Sequence, residues 1–373
     1  MNDAISTAPT RLVRVVGTGL LGTSLGLALR ATGVDVTLSD PSPTAAALAR
    51  DLGAGRLTTG TDDDPDLVVV AAPPDVVGDV VVHELAAYPR AVITDVASVK
   101  AAPLATVRAA GGDLRRYVGG HPMAGRERSG AVAARGDLFT GRPWVLAPTA
   151  ECDPAAVRRV RELAESVGAV VSLMDAREHD EAVAVVSHLP QVAASLVAAR
   201  LREVPEAAVA LAGQGVRDVT RIAASDPVLW TQILAGNATA VLGVLRLAQV
   251  DLARLVDSLR ALADGAPGAR DVVGARGVVA TLVAQGNEGH ARIPGKHGAA
   301  PTTYAQVLVL VPDRPGELAR LLADVGHAGV NLEDLRLEHS QGQPVGLAEL
   351  SVLPASAATL VAALAARGWS VQT

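Results

Sequence analysis

The 373-residue chain is poor in aromatic residues, cysteine and lysine. It has three Trp, three Tyr and one Phe, so aliphatic and alanine side chains must fill its cores. A formal charge of −6 with so few rings argues against a nucleic-acid-binding protein, which needs a basic face and stacking surfaces. The single cysteine, Cys152, excludes internal disulfides and cysteine-based zinc sites, and it is typical of a reducing compartment.

Uninterrupted apolar runs are short as well. Arg, Asp, Gln or Gly breaks each run well before the ~18 residues that a membrane helix needs. The N-terminal residues have no apolar stretch followed by a cleavage site. We therefore predict no membrane span, no signal peptide, no nucleic-acid partner and a cytoplasmic protein.

Residues 9–173 alternate short β-branched runs with amphipathic segments, which is the pattern of a parallel sheet covered by helices on both faces. This pattern predicts an α/β Rossmann domain. The predicted strands are 11–17, 35–40, 66–72, 91–96, 117–120, 143–147 and 169–173.

Residues 174–298 lack strand signals and predict an all-α domain. One long helix is expected over 175–201 with a bend at Pro190, and another over 225–265 with a break near Gly236-Asn237. Apolar residues cover more than one face of these helices, so we expect a homodimer through this domain. Residues 287–303 are predicted to form a connector rich in glycine and proline.

Residues 299–373 follow a βαββαβ order, which is the ferredoxin-like plan. Pro315 and Gly316 are predicted at the start of its first helix, and Asn331 at the following strand. The chain is thus predicted to have three domains, 9–173, 174–298 and 299–373.

A dinucleotide site is predicted after the first strand, where Gly17, Gly19 and Gly22 open a helix. The first glycine permits the tight turn, the second admits a pyrophosphate and the third allows close helix packing. Asp40 ends the second strand and can accept hydrogen bonds from a ribose diol, although it could also be a solvated turn residue. No arginine follows directly to receive a 2′-phosphate, which favours NAD over NADP. The remaining predicted cofactor contacts are Leu20, Leu21, Ala72 and Pro73.

Two segments at strand ends carry residues suited to chemistry, "DVASVK" and "GGHPMAGRERSG". His121 in the second segment is a candidate base for a hydroxyl proton, because a neutral imidazole is available near pH 7. Ser98 in the first segment could hold its tautomer. The alternative is that His121 is a buried structural histidine.

The motifs "DVASVK", "HPMAGRERSG", "EHDEAVAVVSHLP" and "VRDVTRIAASDPVLW", behind the glycine turn, resemble those of the prephenate dehydrogenase family. The terminal "DRPGELARLLADVGHAGVNLEDL" resembles an ACT regulatory domain. The resemblance implies NAD-dependent oxidative decarboxylation of prephenate to 4-hydroxyphenylpyruvate, in tyrosine biosynthesis. It also implies tyrosine as the effector, which would bind near Pro315, Gly316 and Asn331; a dimerisation module without ligand is the alternative.

The resemblance implies catalytic roles for His121, which would polarise the substrate hydroxyl, and for Ser98, which would bridge that hydroxyl and the nicotinamide side. Arg221 would clamp the ring carboxylate, since its planar fork suits bidentate recognition. Asp218 would orient Arg221 or, alternatively, is a helix-surface acid.

Further members of the implied substrate site are Ser187, Glu127 and Trp230. Ser187 would line the pocket, and Glu127 would stand near its mouth unless the "RER" segment is only a solvated loop. Trp230 would reach in from the partner subunit or anchor the core of its own helix. His188 is expected to be structural.

Two glutamines depart from the family pattern. Gln191 follows "SHLP" where several relatives have His, and Gln214 stands where Gly is common. Both could touch the substrate side chain, which leaves arogenate dehydrogenase as an alternative. Arg126 is an additional cation that could meet the second carboxylate.

Other possibilities are less favoured. His179 and His188 lie nine residues apart without an i, i+4 pair, so no metal site is predicted. Lys100 could neutralise ligand charge or be a surface lysine. A hydroxy-acid type of dehydrogenase would need a lysine in the helical domain before Lys296, and none is present. A non-enzymatic NAD and amino-acid sensor predicts loss of Ser98, His121 or Arg221, yet all three are present.

Overall fold

The computed structural model describes residues 10–58, 64–125, 130–264, 274–294, 303–339 and 344–372. The chain divides into two compact units, and the boundary along the sequence falls between Gln249 and Val250. This division falls inside a long helix of the segment predicted to be all-α.

The first unit is built on a sheet with the strand order β3-β2-β1-β4-β5-β6-β7-β8. The predicted strands are present, and a short edge strand, β3, was not foreseen. Strands β1 to β6 are parallel, as predicted, but β7 pairs antiparallel with β6 and parallel with β8, so the sheet is mixed at this edge. The strands are β1 (Leu12–Val16), β2 (Asp35–Ser39), β3 (Arg56–Leu57), β4 (Leu67–Val70), β5 (Val92–Asp95), β6 (Tyr117–Pro122), β7 (Pro143–Ala147) and β8 (Val170–Leu173).

Helices follow most of these strands and bury both faces of the sheet. They are α1 (Leu20–Ala31), α2 (Pro43–Asp51), α3 (Val77–Ala87), α4 (Ala101–Ala109) and α5 (Pro154–Ser166), with a 3₁₀ turn at Ala131–Ala133. One apolar cluster includes Val13, Leu25 and Trp144, and another includes Val68, Val81 and Tyr117. The central strands are fully buried, which explains their continuous Val-rich runs.

The helical segment begins with one continuous stretch, as predicted, and it contains a widened turn just ahead of Pro190. α6 (Ala176–Val183) passes through a π-helical turn (Ala184–His188) into α7 (Leu189–Arg200), followed by a 3₁₀ turn at Leu201–Glu203. Pro190 has no amide hydrogen to bond the carbonyl four residues earlier, and the widened turn directly precedes it.

The remaining helices of this segment are α8 (Glu206–Val209), α9 (Gln214–Thr220), α10 (Pro227–Gly236) and α11 (Ala238–Asp264), with a 3₁₀ turn at Arg221–Ala223. The Asp226 side chain accepts a hydrogen bond from the Val228 amide, and Pro227 occupies the first turn, so the predicted cap is confirmed. The chain bends by 93° at Asn237, between α10 and α11, where a break was predicted.

The stretch Ala176–Glu203 is long and apolar enough to cross a membrane by length and composition, with a mean hydropathy of 1.6 over its best 18-residue window. No apolar run was predicted to be long enough for a membrane helix, and by length and composition this helix is long enough. Three of its residues, His179, Asp180 and His188, are buried and hydrogen-bonded to other parts of the first unit. The bonds of His179 and Asp180 tie the helix to the α/β part, and that of His188 ties it to Asn237.

The second unit contains α12 (Ala275–His290) and a βαββαβ arrangement. Because α12 runs to His290, the first residues of the predicted connector are helical. The other elements are β9 (Ala305–Pro312), α13 (Glu317–His327), β10 (Asp334–His339), β11 (Val345–Val352), α14 (Pro354–Ala366) and β12 (Ser370–Gln372). The antiparallel sheet order β10-β11-β9-β12 and this element order confirm the predicted ferredoxin-like plan.

Candidate functional site

The glycine turn after β1 has the backbone geometry that a dinucleotide site requires. Gly17 has φ +97°, and a Cβ there would lie 2.3 Å from the Ala71 carbonyl oxygen. A Cβ on Gly22 would lie 1.9 Å from the Gly17 carbonyl oxygen, so α1 packs tightly against the turn. At Gly19 a Cβ would meet nothing within 4 Å. The backbone before α1 therefore faces open space, in which a pyrophosphate fits at the helix N-terminus.

Asp40 is joined to this turn by direct hydrogen bonds. Its Oδ2 accepts from the Thr18 amide at 2.7 Å and from the Thr18 hydroxyl at 2.9 Å, and its Oδ1 accepts from the Ser42 amide. The carboxylate therefore holds the end of β2 against the glycine turn. Sequence reasoning missed Thr18, which stands inside the glycine motif.

The other predicted cofactor contacts surround the same sheet edge. Leu20 and Leu21 open α1 and are half-buried, while Ala72 and Pro73 follow β4. The Pro73 carbonyl accepts from two amides at the start of α3, which forms a tight turn there. Since β1, β4, β5 and β6 run parallel, their carboxyl ends meet at one edge, where open α/β sheets bind ligands.

The two predicted catalytic residues belong to neighbouring strands at this edge. Ser98 is half-buried in the turn between β5 and α4. His121 lies within β6, one residue before its end, and is 9% exposed; the strand is longer than the predicted 117–120. A Cβ on Gly120 would lie 2.6 Å from the Asp95 carbonyl oxygen, so this glycine lets β6 approach β5 closely beside His121.

A chain of hydrogen bonds runs from His121 into the helical segment. His121 Nδ1 lies 2.7 Å from His179 Nε2, and His179 Nδ1 lies 2.8 Å from Asp180 Oδ1. The two imidazole rings meet edge to face, with centroids 5.0 Å apart. The Asp180 carboxylate also accepts from the backbone amides of Lys100 and Ala101 and so caps α4.

Lys100 is part of a second buried network, so the alternative of a surface lysine was wrong. Its side chain is 1% exposed and pairs with Asp95, and its Nζ donates to the Gly120 carbonyl at 2.5 Å. Tyr117 donates its hydroxyl hydrogen to Asp95 at 2.8 Å. This network supports the strand segment immediately before His121.

Burial sets the proton affinities of these groups. The pKa of His121 lies well below its ordinary value, first because burial disfavours the imidazolium, then because His179, Lys100 and His188 repel a positive charge there. Burial also lowers the pKa of Lys100, while Asp95 opposes that shift. Burial and Asp95 together raise the pKa of Tyr117 well above its ordinary value. His121 is therefore neutral near pH 7 and available as a proton acceptor.

The π-helical turn carries Ser187 and His188. Ser187 is half-buried, whereas His188 is 1% exposed. His188 Nδ1 lies 3.2 Å from Asn237 Nδ2. Asn237 also donates to the Asp180 carbonyl, so the bend between α10 and α11 is fixed to α6. Trp230 is half-buried and meets His188 of its own chain edge to face at 6.0 Å. These bonds support the structural role expected for His188.

The remaining substrate candidates lie farther along the helical segment. Gln191 is 6% exposed, and its Oε1 accepts from the Ser225 hydroxyl at 3.4 Å. Asp218 is exposed and accepts from Gln214 Nε2 at 2.8 Å. Arg221 is exposed in the 3₁₀ turn after α9.

Two predicted residues, Glu127 and Arg126, lie outside the described residues. In the second unit, Gly316 precedes α13 with φ +91°, after Pro315. Asn331 lies in the loop three residues before β10 rather than in the strand, and its Nδ2 donates to Glu333.

Among the described residues, no three His, Cys, Asp or Glu side chains are grouped as metal ligands. His179, considered from the sequence only as a metal ligand, is instead bonded to His121. A signal for this role was present, because His179 and Asp180 are adjacent in the "EHD" segment. The signal for the other network was the spacing of Asp95 and Lys100 on either side of Ser98.

Known proteins match nearly the whole chain. The model of the prephenate dehydrogenase nucleotide-binding domain matches residues 25–173, and that of the prephenate dehydrogenase dimerization domain matches residues 175–263. A probable prephenate dehydrogenase of Streptomyces niveus, NovF, is 40% identical over 365 residues, which is 96% of this chain and 99% of that protein. The chain belongs to the prephenate dehydrogenase family.

Solved structures of related enzymes have the same fold. A prephenate dehydrogenase from Aquifex aeolicus, in complex with hydroxyphenyl propionate and NAD⁺, is 29% identical with a TM-score of 0.65, over 76% of this chain and 99% of that chain. An arogenate dehydrogenase from Synechocystis is 25% identical with a TM-score of 0.61, over 75% and 98%. The predicted class, an NAD-dependent oxidoreductase with a Rossmann domain, is thus confirmed.

Proposed function

We propose that this chain oxidatively decarboxylates prephenate to 4-hydroxyphenylpyruvate in tyrosine biosynthesis. The observation that carries this proposal is a neutral, buried imidazole, His121, on the strand-end edge that also carries the glycine turn. An imidazole beside a dinucleotide site is suited to a reaction in which a hydroxyl group loses its proton while a hydride leaves the carbon that bears this hydroxyl group.

The glycine turn and its surroundings would hold NAD. Gly17, Gly19 and Gly22 leave the amides before α1 accessible to the pyrophosphate, and Asp40 would accept from the adenosine ribose. Leu20, Leu21, Ala72 and Pro73 would flank the dinucleotide. When bound, NAD⁺ supplies the acceptor for the hydride.

His121 would accept the proton of the substrate hydroxyl, and Ser98 would hydrogen-bond the same oxygen. As the O–H bond breaks and the hydride leaves the carbinol carbon, the ring carboxylate leaves as CO₂. The electron pair of the broken C–C bond remains in the ring and makes it aromatic, and the ring oxygen takes the proton back from His121 to give the phenol. The role of the enzyme is to align these bond changes and to hold the proton on one atom.

The opposite end of the substrate would be held by Arg221, whose fork suits bidentate pairing with the ring carboxylate. This pairing weakens as the carboxylate becomes CO₂. Ser187, Gln191, Asp218 and Glu127 would complete the substrate contacts.

Arogenate is the alternative substrate. Gln191 is buried, and its amide oxygen is already bonded to Ser225. Because an amide is neutral, Gln191 offers no charge that would select prephenate over arogenate. The experiment measures NADH formation with prephenate, arogenate and simple hydroxy acids. Turnover of prephenate at a kcat/KM at least tenfold above that of arogenate supports the proposal. A preference for arogenate assigns the alternative, and turnover of hydroxy acids alone contradicts both.

A homodimer through the helical segment completes the proposal. Exposed apolar side chains recur along it, at Val185, Val186, Leu196, Leu211, Leu242 and Leu247. A second copy of the chain would cover them. Trp230, half-buried on its own chain, would then contact the partner's site as well. Sedimentation equilibrium of the full chain tests this, and a monomer at micromolar concentration would contradict it.

We assign the ferredoxin-like region to an ACT-type module with tyrosine as its effector, bound near Pro315, Gly316 and Asn331. The three-domain division 9–173, 174–298 and 299–373 and a cytoplasmic location belong to the same proposal. Isothermal titration of the full chain with tyrosine, with and without NAD, tests the effector. No heat and no inhibition would leave a structural module.

A further inference from the structure

We propose that His179 and Asp180 fix the protonation of His121 and stabilise its charge during turnover, as positioning residues of a three-residue relay. The inference rests on the proposed function, because it needs His121 to accept a proton. It starts from the two short contacts that join His121, His179 and Asp180.

The Asp180 carboxylate, at the end of the relay, determines which ring nitrogen of each histidine carries hydrogen. An ionised carboxylate only accepts, so His179 Nδ1, 2.8 Å from Asp180 Oδ1, must carry hydrogen. Neutral His179 then has a lone pair on Nε2, which faces His121 Nδ1 at 2.7 Å. His121 must therefore carry its hydrogen on Nδ1, which leaves Nε2 as its one basic ring atom.

Asp180 is held in place by bonds that do not involve histidine. Its two oxygens accept from the amides of Lys100 and Ala101 at 2.8 and 2.9 Å, and its side chain is 6% exposed. Its backbone carbonyl accepts from Asn237. The carboxylate is therefore fixed in position before substrate binds, and its orientation requires no rearrangement in the transition state.

The relay also offsets a cost of burial. When His121 Nε2 accepts the hydroxyl proton, the ring becomes an imidazolium. This charge forms on a residue that is only 9% exposed to solvent. His179, Lys100 and His188 all disfavour positive charge there when they are themselves protonated. Asp95 is already bonded to Lys100 and to Tyr117. His179, polarised by Asp180, is the neighbour that can accept from the imidazolium Nδ1–H.

Paired substitutions separate this role from packing. His179→Phe removes the acceptor, and we expect kcat to fall about 10²-fold while the Kd for NAD changes less than threefold, since the glycine turn is untouched. His179→Gln restores an acceptor oxygen at the ε position and should recover at least tenfold of that loss. Asp180→Asn keeps a capping oxygen for α4 but removes the charge. It should move the acid limb of the kcat/KM profile to lower pH.

A spectroscopic measurement tests the same relay without substrate. In the full chain labelled with ¹⁵N-histidine, the His121 signals, assigned by their loss in His121→Asn, should report hydrogen on Nδ1 and a bare Nε2 at pH 7.5. Hydrogen on Nε2 instead overturns the proposal, as does a His179→Phe variant with kcat within threefold of the unsubstituted protein. If the unsubstituted protein turns over neither prephenate nor arogenate, the proposed function fails, while the tautomer still decides the relay.

Discussion

Around His121 the polar side chains are buried and bonded to one another, whereas no residue of 201–226 is buried. The segment that carries Arg221 even exposes apolar side chains, with Leu211 85% and Val219 50% accessible. The two ends of the proposed substrate site thus differ in how they are built. The proposed proton-accepting end is completed by its own chain, and the proposed carboxylate-binding end has the exposed surface expected of a segment that a second subunit would cover.

This difference predicts different consequences of substitution. At the buried end, removing one group leaves another without its partner, so stability and turnover are coupled. At the exposed end, a side chain can be removed with little effect on folding, and only substrate affinity should change. The predictions below use this contrast.

The largest effect is expected for His121→Asn. The amide cannot accept the hydroxyl proton, so kcat should fall by about 10³-fold or more while NAD still binds. Initial rates of NADH formation and NAD titration measure the two quantities. His83→Asn, on the exposed surface of α3, is the matched control and should retain normal kcat. Near-normal kcat in His121→Asn would remove this residue from the mechanism.

The next largest effect concerns stability. Lys100→Met leaves the Asp95 carboxylate buried without its cation, and removing one partner of a buried pair costs about 3–5 kcal/mol of unfolding free energy. Urea unfolding followed by circular dichroism measures this. Arg50→Met, which breaks the exposed pair with Asp51, should cost less than about 1 kcal/mol. Equal losses in the two variants would show that the Lys100–Asp95 pair is no more important than a surface pair.

Much of the buried end could be predicted from its pattern along the chain. The Val-rich runs gave the strands because a sheet buried on both faces needs continuous apolar segments. The glycine spacing gave the turn at Gly17 because only glycine avoids the clash with Ala71. His121 could be proposed from its position beside a strand.

The partners of these residues could not be predicted in the same way. His121 and His179 are 58 residues apart, and Lys100 and Asp180 are 80 apart. Periodicity reports which face of an element is buried, but not which element covers it. The antiparallel pairing of β7 was missed for the same reason, since a strand's sequence does not encode its direction relative to a neighbour.

A smaller effect is expected at the exposed end. Arg221→Ala should raise the KM for prephenate about 10- to 100-fold, in line with the loss of a charge-assisted bidentate contact. Its unfolding free energy should change by less than about 0.5 kcal/mol, because the residue is exposed. Arg202→Ala, at another exposed arginine of the helical segment, is the control and should leave KM unchanged. An unchanged KM in Arg221→Ala would place the carboxylate clamp elsewhere.

The smallest effect is a shift in pH dependence, which distinguishes the two ends without unfolding either. His121 must be neutral to accept a proton, and burial with its positive neighbours lowers its pKa, so the acid limb of kcat/KM should lie below pH 6.5. Lys100 contributes to that lowering, so the limb of Lys100→Met should move up toward pH 6.5. Arg221→Ala should leave the limb in place, because Arg221 is not among the groups that shift His121. A limb that moves in Arg221→Ala but not in Lys100→Met would reverse the assignment of the two ends, since the exposed arginine would then control the proton acceptor.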